Sequence, residues 1–290
     1  MHGDEEMKEM FCDLHAHSVY SDGTCTPEEV IALAEEMGLE AVALTDHNTV
    51  SGLPRFMQAA AGKKVAAVAG IELSTVFDGH EVHMLGLFLP KSSWPVLEEK
   101  MQVLLRSKEE SNRRLIAALQ QAGYDVDYET LAGATLRGRI NRAHIGADMV
   151  KKGYVASISE AMKGPLSEKA GFYQPPERLS ALEGIALIEK AGGLAVLAHP
   201  FLNLTEEELR RFLPQAKEAG LAGMETHYSL FDCEKTEKAR QLAKAFGLLE
   251  SGGSDFHGLH KPDIALGRGK GDLYVAAQLY NALRQRAEKQ

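Results

Sequence analysis

The sequence predicts an α/β protein: a (β/α) barrel of seven strands carrying a helical insertion. Three observations point there. Short β-rich runs alternate with amphipathic helical stretches along most of the 290 residues, the pattern that yields parallel strands linked by crossover helices. The strand runs are almost continuously apolar, as strands buried on both faces require. Between Ser92 and about Ala191 the strands stop and helical patterns take over. A chain of this length suits one barrel, or one α/β domain with an insertion.

The first strand reads as Phe11–His17. A helix follows from Pro27 to Met37. Thr26 is its N-cap, Pro27 suits the first helical position, Glu29 completes a capping box, and Gly38 stops it. Glu40–Thr45 is the second strand. Val65–Leu73, Glu81–Leu89, Leu194–Ala198, Gly220–Glu225 and Leu248–Gly252 complete the seven. The turn at Asp78-Gly79 joins the third and fourth as a hairpin. In the helical region, Ser93-Trp94-Pro95 starts a helix that runs to Gln121, ahead of a stop at Gly123. Ala143–Lys152, Ser157–Lys163 and Pro176–Lys190 are further helices, the last assigned to the barrel. The barrel thus spans residues 1–91 and 176–290. Residues 92–175 form the insertion, which is expected to cover the active site as a lid or small second domain.

Composition narrows the function classes. With 44% apolar and 25% charged residues, the chain is an ordinary globular protein rather than a disordered or disulfide-built one. Its formal net charge of −9 argues against non-specific binding of duplex DNA. The charged start, Met1 to Lys8, lacks the apolar stretch of a secretory signal, and no apolar run is long enough to cross a bilayer. Cys12, Cys25 and Cys233 form no CxxC pair, so a reduced, cytoplasmic setting is expected, away from membranes.

The histidines carry the chemistry. Seven of the 11, namely His15, His17, His47, His83, His199, His227 and His257, lie at or near strand ends. His15 and His17 leave one face of the first strand, a spacing that suits chelation of one ion. Asp22, Glu72, Glu225 and Asp255 accompany them. Strand C-termini are where a (β/α) barrel assembles its active site. An ensemble of imidazoles and carboxylates there, with no thiolate, points to a cluster of divalent metal ions. Mixed N/O ligands suit Mn2+, Fe2+ or Zn2+, with Mn2+ the expectation.

These residues fall in motifs. Asp13-Leu14-His15-Ala16-His17-Ser18, Ser21-Asp22-Gly23, Leu44-Thr45-Asp46-His47, Gly70-Ile71-Glu72-Leu73-Ser74, Ala198-His199-Pro200 and Ser254-Asp255-Phe256-His257 together resemble the PHP (polymerase and histidinol phosphatase) family. The resemblance implies a distorted (β/α)7 TIM-like barrel holding two or three divalent ions. It puts His15, His17, Glu72 and Asp255 on one ion, Asp22, His47 and His257 on a second, and Glu72, His83 and His199 on a third. Glu72 is then both bridge and catalytic centre, while His199 and His257 are candidates for protonating the leaving group. Such a cluster clamps phosphate oxygens and activates water for in-line attack on phosphorus.

The insertion is similar to that of the small stand-alone phosphoesterases of the family. These implied relatives remove the 3′-phosphate from nucleoside 3′,5′-bisphosphates or trim short 5′-phosphorylated RNA. Arg142-Ala143-His144 matches their Arg-x-His, so Arg142 and His144 are candidates for holding a substrate phosphate, with Arg137 and Arg139 in a glycine-flanked loop beside them. Arg106, Arg113 and Arg114 read as a solvated helix face. His227 and Glu225 read as support for the ligands, Asp46 as structural, and His2, His80 and His260 as solvent-facing. Phe201-Leu202-Asn203-Leu204 departs from the small or basic residues many relatives carry after His-Pro, implying a more apolar pocket. Histidinol-phosphate hydrolysis is the runner-up activity. A non-catalytic PHP module binding a polymerase or nucleic-acid end is the alternative of another class.

Overall fold

A computed structural model describes residues 10–135 and 140–289. Among these, nine strands and ten α-helices form two compact units. The first unit comprises Met1–Glu98 and Leu179–Gln290, the second Glu99–Arg178.

In the first unit, β1 (Cys12–Asp13), β2 (Ala41–Leu44) and β3 (Ala66–Ala69) make a parallel sheet in that order. A second sheet holds β4 (Ile71–Phe77), β5 (His80–Leu87), β6 (Leu179–Ser180), β7 (Leu194–Leu197), β8 (Gly223–Tyr228) and β9 (Leu249–Gly253), in the order β6-β4-β5-β7-β8-β9. The turn at Asp78-Gly79 closes the β4–β5 hairpin, with Phe77 opposite His80. Isolated bridges tie the sheets together, Ala16 to Phe256 and His47 to Glu72. The strands are buried and apolar where they meet the core of Leu14, Val68, Leu85, Leu87, Val196 and Val275. Helices α1 (Pro27–Met37), α2 (Leu53–Ala59), α7 (Ala181–Lys190), α8 (Glu206–Glu218), α9 (Cys233–Ala245) and α10 (Ala277–Ala287) also belong to this unit. The Thr26–Glu29 capping box and the Gly38 stop of α1 are both present.

Helix α3 (Trp94–Gln121) begins in the first unit and runs into the second, which also holds α4 (Tyr128–Gly133), α5 (Arg142–Lys151) and α6 (Ile158–Lys163). Leu115, Leu119, Ile145, Met149, Leu166 and Tyr173 give that unit its own core. No helix among the described residues is long and apolar enough to cross a membrane.

Several elements differ from the sequence reading. The expected strand Val65–Leu73 breaks at Gly70 into β3 and β4. A Cβ at Gly70 would meet the Leu44 and Gly86 carbonyl oxygens at 3.0 Å. The chain there leaves β2 and takes up β5 as its partner. The expected helix Pro176–Lys190 starts only at Ala181, because Ser180 is the N-cap and forms a capping box with Glu183. Leu179 and Ser180 pair instead with Thr75 and Val76 as an extra strand. Of the expected strand Phe11–His17, only Cys12–Asp13 pairs regularly, and the rest is held by single bridges at Phe11 and Ala16.

Candidate metal centre

The segment after β1 gives up regular pairing where its histidines begin. His15 N donates to Asp13 Oδ1, and the carbonyl oxygen of His15 accepts from Asp255 N at 2.9 Å. Both His15 and His17 are fully buried, with their Nε2 atoms 3.1 Å apart. The following loop is held by Asp46, whose carboxylate accepts from Ser18 N, Ser18 Oγ and Ser21 Oγ at 2.7–2.8 Å. The segment after β2 delivers His47, β4 itself Glu72, its hairpin partner β5 His83, and the segment after β7 His199.

Glu72 is the hub. Its Oε1 lies 2.8 Å from His83 Nδ1 and 3.0 Å from His199 Nε2. Its Oε2 lies 3.2 Å from His15 Nε2, 3.2 Å from His17 Nε2 and 3.1 Å from His47 Nδ1. Asp255 Oδ1 is 3.3 Å from both His17 Nε2 and His257 Nδ1. Asp22 Oδ1 is 3.2 Å from His257 Nε2, and Oδ2 is 3.8 Å from His47 Nε2. Three overlapping groups have their ligand atoms mutually within 4.8 Å: His15, His17, Glu72 and Asp255; His17, Asp22, His47 and His257; and His47, Glu72 and His83. The first matches the set implied by the resemblance. The second adds His17, and the third contains His47 where His199 was expected, although His199 lies on the same carboxylate oxygen as His83.

Strained backbone accompanies the ligands. Asn48, His199 and Asp255 have φ values of 50°, 28° and 57°, uncommon for side-chain-bearing residues and maintained only where the surroundings fix them. Their amides are all anchored: Asn48 N to the Glu72 carbonyl, Asp255 N to the His15 carbonyl, and His199 N to Glu225 Oε2. Glu225, fully buried, places its other oxygen 3.1 Å from His15 Nδ1. One carboxylate thus orients an imidazole and pins the backbone of a second ligand residue, as the outer partners of metal-bound histidines do.

The electrostatics are those of cations concentrated between buried carboxylates. Burial works against a proton on His15, yet Glu72, Glu225 and Asp255 hold it well above the usual range. His17 is likewise pushed up to about 9 against burial, by Asp255 and Glu72. His83 rises to about 10 against burial, by Glu72 and Glu81. Burial takes His47 down to about 3 despite Glu72. Glu72 and Asp255 stay well below the ordinary carboxylate range, because their histidine neighbours outweigh their burial. Asp22 is lowered too, burial being outweighed by His257 and His47.

The donor set fits divalent cations. Two buried atoms, Glu72 Oε2 and His47 Nδ1, lack a hydrogen-bond partner among the described residues while facing each other at 3.1 Å. Unsatisfied buried polar atoms are costly unless a ligand completes them. Hard carboxylate oxygens and imidazole nitrogens, with no thiolate, suit first-row divalent ions.

A cavity of about 280 Å3 opens onto this cluster, and Asp22, His47, Glu72, His83, His199, Asp255 and His257 line it together with Leu202, His260 and Lys261. His260, expected to face solvent, is exposed, and its Nδ1 also lies 2.7 Å from the Asp22 carbonyl oxygen, because the turn Gly258–His260 folds back onto Thr24 through the Leu259 amide. Sequence reasoning also passed over Asp13, which is buried and takes hydrogen bonds from Ser254 and Gly267, and Lys261. The acid of the Asp-x-His-x-His run was a signal for Asp13; Lys261 belongs to no motif.

The candidate phosphate-holding residues lie in the second unit. Arg142 opens α5, stacks over the Tyr173 ring at 4.0 Å and donates to the Leu166 carbonyl. His144 Nδ1 accepts from Asn141 N in the capping box of the same helix. Arg137 and Arg139 lie outside the described residues.

Residues 13–168 match the PHP domain. The chain belongs to the PHP family. It is 33% identical over 254 residues to a 5′-3′ exoribonuclease of Haemophilus influenzae, covering 84% of this chain and 89% of that protein. It is 30% identical over 247 residues to a 3′,5′-nucleoside bisphosphate phosphatase of Chromobacterium violaceum, covering 84% and 86%. A crystal structure described as a metal-dependent phosphoesterase of Bifidobacterium adolescentis superimposes with a TM-score of 0.71 at 27% identity, covering 96% of both chains. The protein is accordingly a metal-dependent hydrolase of phosphoric esters with an α/β PHP fold.

Proposed function

We propose that the protein removes the 3′-phosphate of nucleoside 3′,5′-bisphosphates, leaving the 5′-monophosphate, and also trims short 5′-phosphorylated RNA. The observation that carries this is the Glu72 hub, one buried carboxylate within 3.2 Å of five imidazole nitrogens at the base of an open cavity. The relatives of similar length that act on bisphosphates and RNA supply the substrate class.

In this proposal His15, His17, Glu72 and Asp255 hold one divalent ion and His17, Asp22, His47 and His257 a second. Glu72, His83 and His47 or His199 hold a third, and Mn2+ is the proposed metal. Divalent ions bound by such ligands lower the pKa of water and withdraw charge from phosphate oxygens. The chain's own groups do the rest. Glu225 fixes the His15 ring so that Nε2 faces Glu72. When water attacks phosphorus and the P–O3′ bond breaks, the departing oxygen needs a proton, and His199 and His257, both on the cavity, are the proposed donors. Arg142 and His144, with Arg137 and Arg139, are the proposed grip on the phosphate that does not react; a guanidinium offers a planar donor fork for it. Bridges from the segment after β1 to the segment after β9, and from the segment after β2 to β4, support reading the first unit as a closed (β/α)7 barrel.

Phosphate release from adenosine 3′,5′-bisphosphate, histidinol phosphate and a short 5′-phosphorylated RNA, measured in parallel on Mn2+-reloaded protein, tests the substrate. EDTA-sensitive release from the bisphosphate, with AMP as product, is expected. A preference for histidinol phosphate would replace this substrate assignment.

A further inference from the structure

Among the described residues, three that line the cavity are not expected ligands, and one of these, Lys261, carries a fixed positive charge. The other charged lining groups of fixed sign are the carboxylates of Asp22, Glu72 and Asp255. Lys261 Nζ sits 2.6 Å from Asp255 Oδ2, an oxygen that also accepts from the Tyr228 hydroxyl at 2.8 Å. Asp255 divides its work between its two oxygens. Oδ1 lies among the imidazoles, 3.3 Å from His17 Nε2, while Oδ2 is held by the hydroxyl and the ammonium. Because Tyr228 is buried and already bonded there, Oδ2 keeps a partner when the lysine moves away.

The backbone that carries Lys261 is firmly fixed. Gly258 has φ +62°, and a Cβ there would collide with Thr24 Oγ1. The Thr24 oxygen also accepts from Leu259 N at 2.8 Å. Lys261 N donates to the Gly258 carbonyl, and Ile264 N to the Lys261 carbonyl. The lysine side chain itself remains 36% exposed. A rigid turn therefore presents a flexible four-carbon arm, ending in a compact charge with three rotatable donors, at the mouth of a metal-binding cavity.

We propose that Lys261 is a substrate-binding residue whose ammonium leaves Asp255 Oδ2 to Tyr228 and takes the phosphoryl group entering the cavity. This rests on the phosphoesterase function proposed above. A charge-assisted bond to a dianion is stronger than a neutral one, and among the described residues lining the cavity Lys261 is the one fixed cation able to make it.

Calorimetric binding of inorganic phosphate to the Mn2+-loaded protein, with Mn2+ affinity measured on the same samples, tests this for wild type, Lys261→Gln and Lys261→Arg. Lys261→Gln is expected to weaken phosphate binding about 10- to 100-fold while Mn2+ affinity stays within about threefold. KM for adenosine 3′,5′-bisphosphate should rise in parallel, and Lys261→Arg should keep most of the binding. An unchanged phosphate Kd in Lys261→Gln overturns the proposal. So does a loss of Mn2+ affinity that accounts for the whole effect, since Lys261 would then merely brace Asp255. The two proposals fail separately. Wild type that cleaves no phosphate ester, yet binds phosphate through Lys261, contradicts the function and not the lysine's role. Active wild type with an indifferent Lys261→Gln contradicts only the latter.

Discussion

Buried charge at the level of single residues makes the metal-free site sensitive to pH. His17 and His83 carry folded-state pKa values near 9 and 10, raised by Asp255 and Glu72 against their burial, whereas an unfolded histidine titrates near 6.5. A raised pKa stabilises the fold fully below the unfolded value and is lost as pH rises through the folded one. His47, lowered to about 3, acts below pH 6.5 and leaves the higher window alone. The thermal midpoint in EDTA should therefore fall as pH goes from 7 to 9, by about 5 °C. Saturating divalent metal, which needs neutral imidazoles, should flatten that slope. A midpoint in EDTA that is constant or rises over this range would show that the carboxylates do not hold protonated imidazoles. Most of the expected ligands were visible in the sequence because they sit in short motifs at or just beyond strand ends, whereas His83 showed only as a histidine of the hairpin partner. The roles of Asp13, Tyr228 and Lys261 were not visible, since they depend on what the fold brings opposite them: the Ser254 and Gly267 amides for Asp13, and the Asp255 carboxylate for Tyr228 and Lys261. His260 faces solvent as expected, but its bond to the Asp22 carbonyl, 238 residues away, was not legible for the same reason.

At the scale of elements, side chains are absent where strands must approach closely. A Cβ at Gly253 on β9 would collide with His15 Cβ and meet His15 N at 2.5 Å and Asp13 Oδ1 at 2.9 Å. The end of β9 thus lies against the segment after β1, which is what lets Asp255 reach the His15 and His17 imidazoles. Gly253→Ala is expected to lower stability by about 1–3 kcal/mol in urea denaturation and to weaken Mn2+ binding. Unchanged stability would mean that the two segments have room to separate. The strand runs were legible from apolar continuity, and the hairpin from Asp78-Gly79. The break at Gly70 was not, because crowding by Leu44 and Gly86 is a tertiary fact. The start of α7 at Ala181 was written locally, in the Ser180–Glu183 box, five residues after the start expected at Pro176.

For the whole molecule, the alternation of strands and helices conveyed the α/β class, while the pairing order β6-β4-β5-β7-β8-β9 emerges only from the fold. The fold brings residues from position 15 to position 199 around one carboxylate, and the central claim is that this convergence binds metal for phosphate-ester hydrolysis. The most direct measurement is Mn2+ stoichiometry together with EDTA-sensitive phosphate release, on wild type and on Glu72→Ala shown to be folded by circular dichroism. Wild type should bind two or more Mn2+ per chain. Glu72→Ala should bind fewer and lose activity by about 100-fold or more. A folded Glu72→Ala protein with full Mn2+ content and a normal rate would contradict the claim.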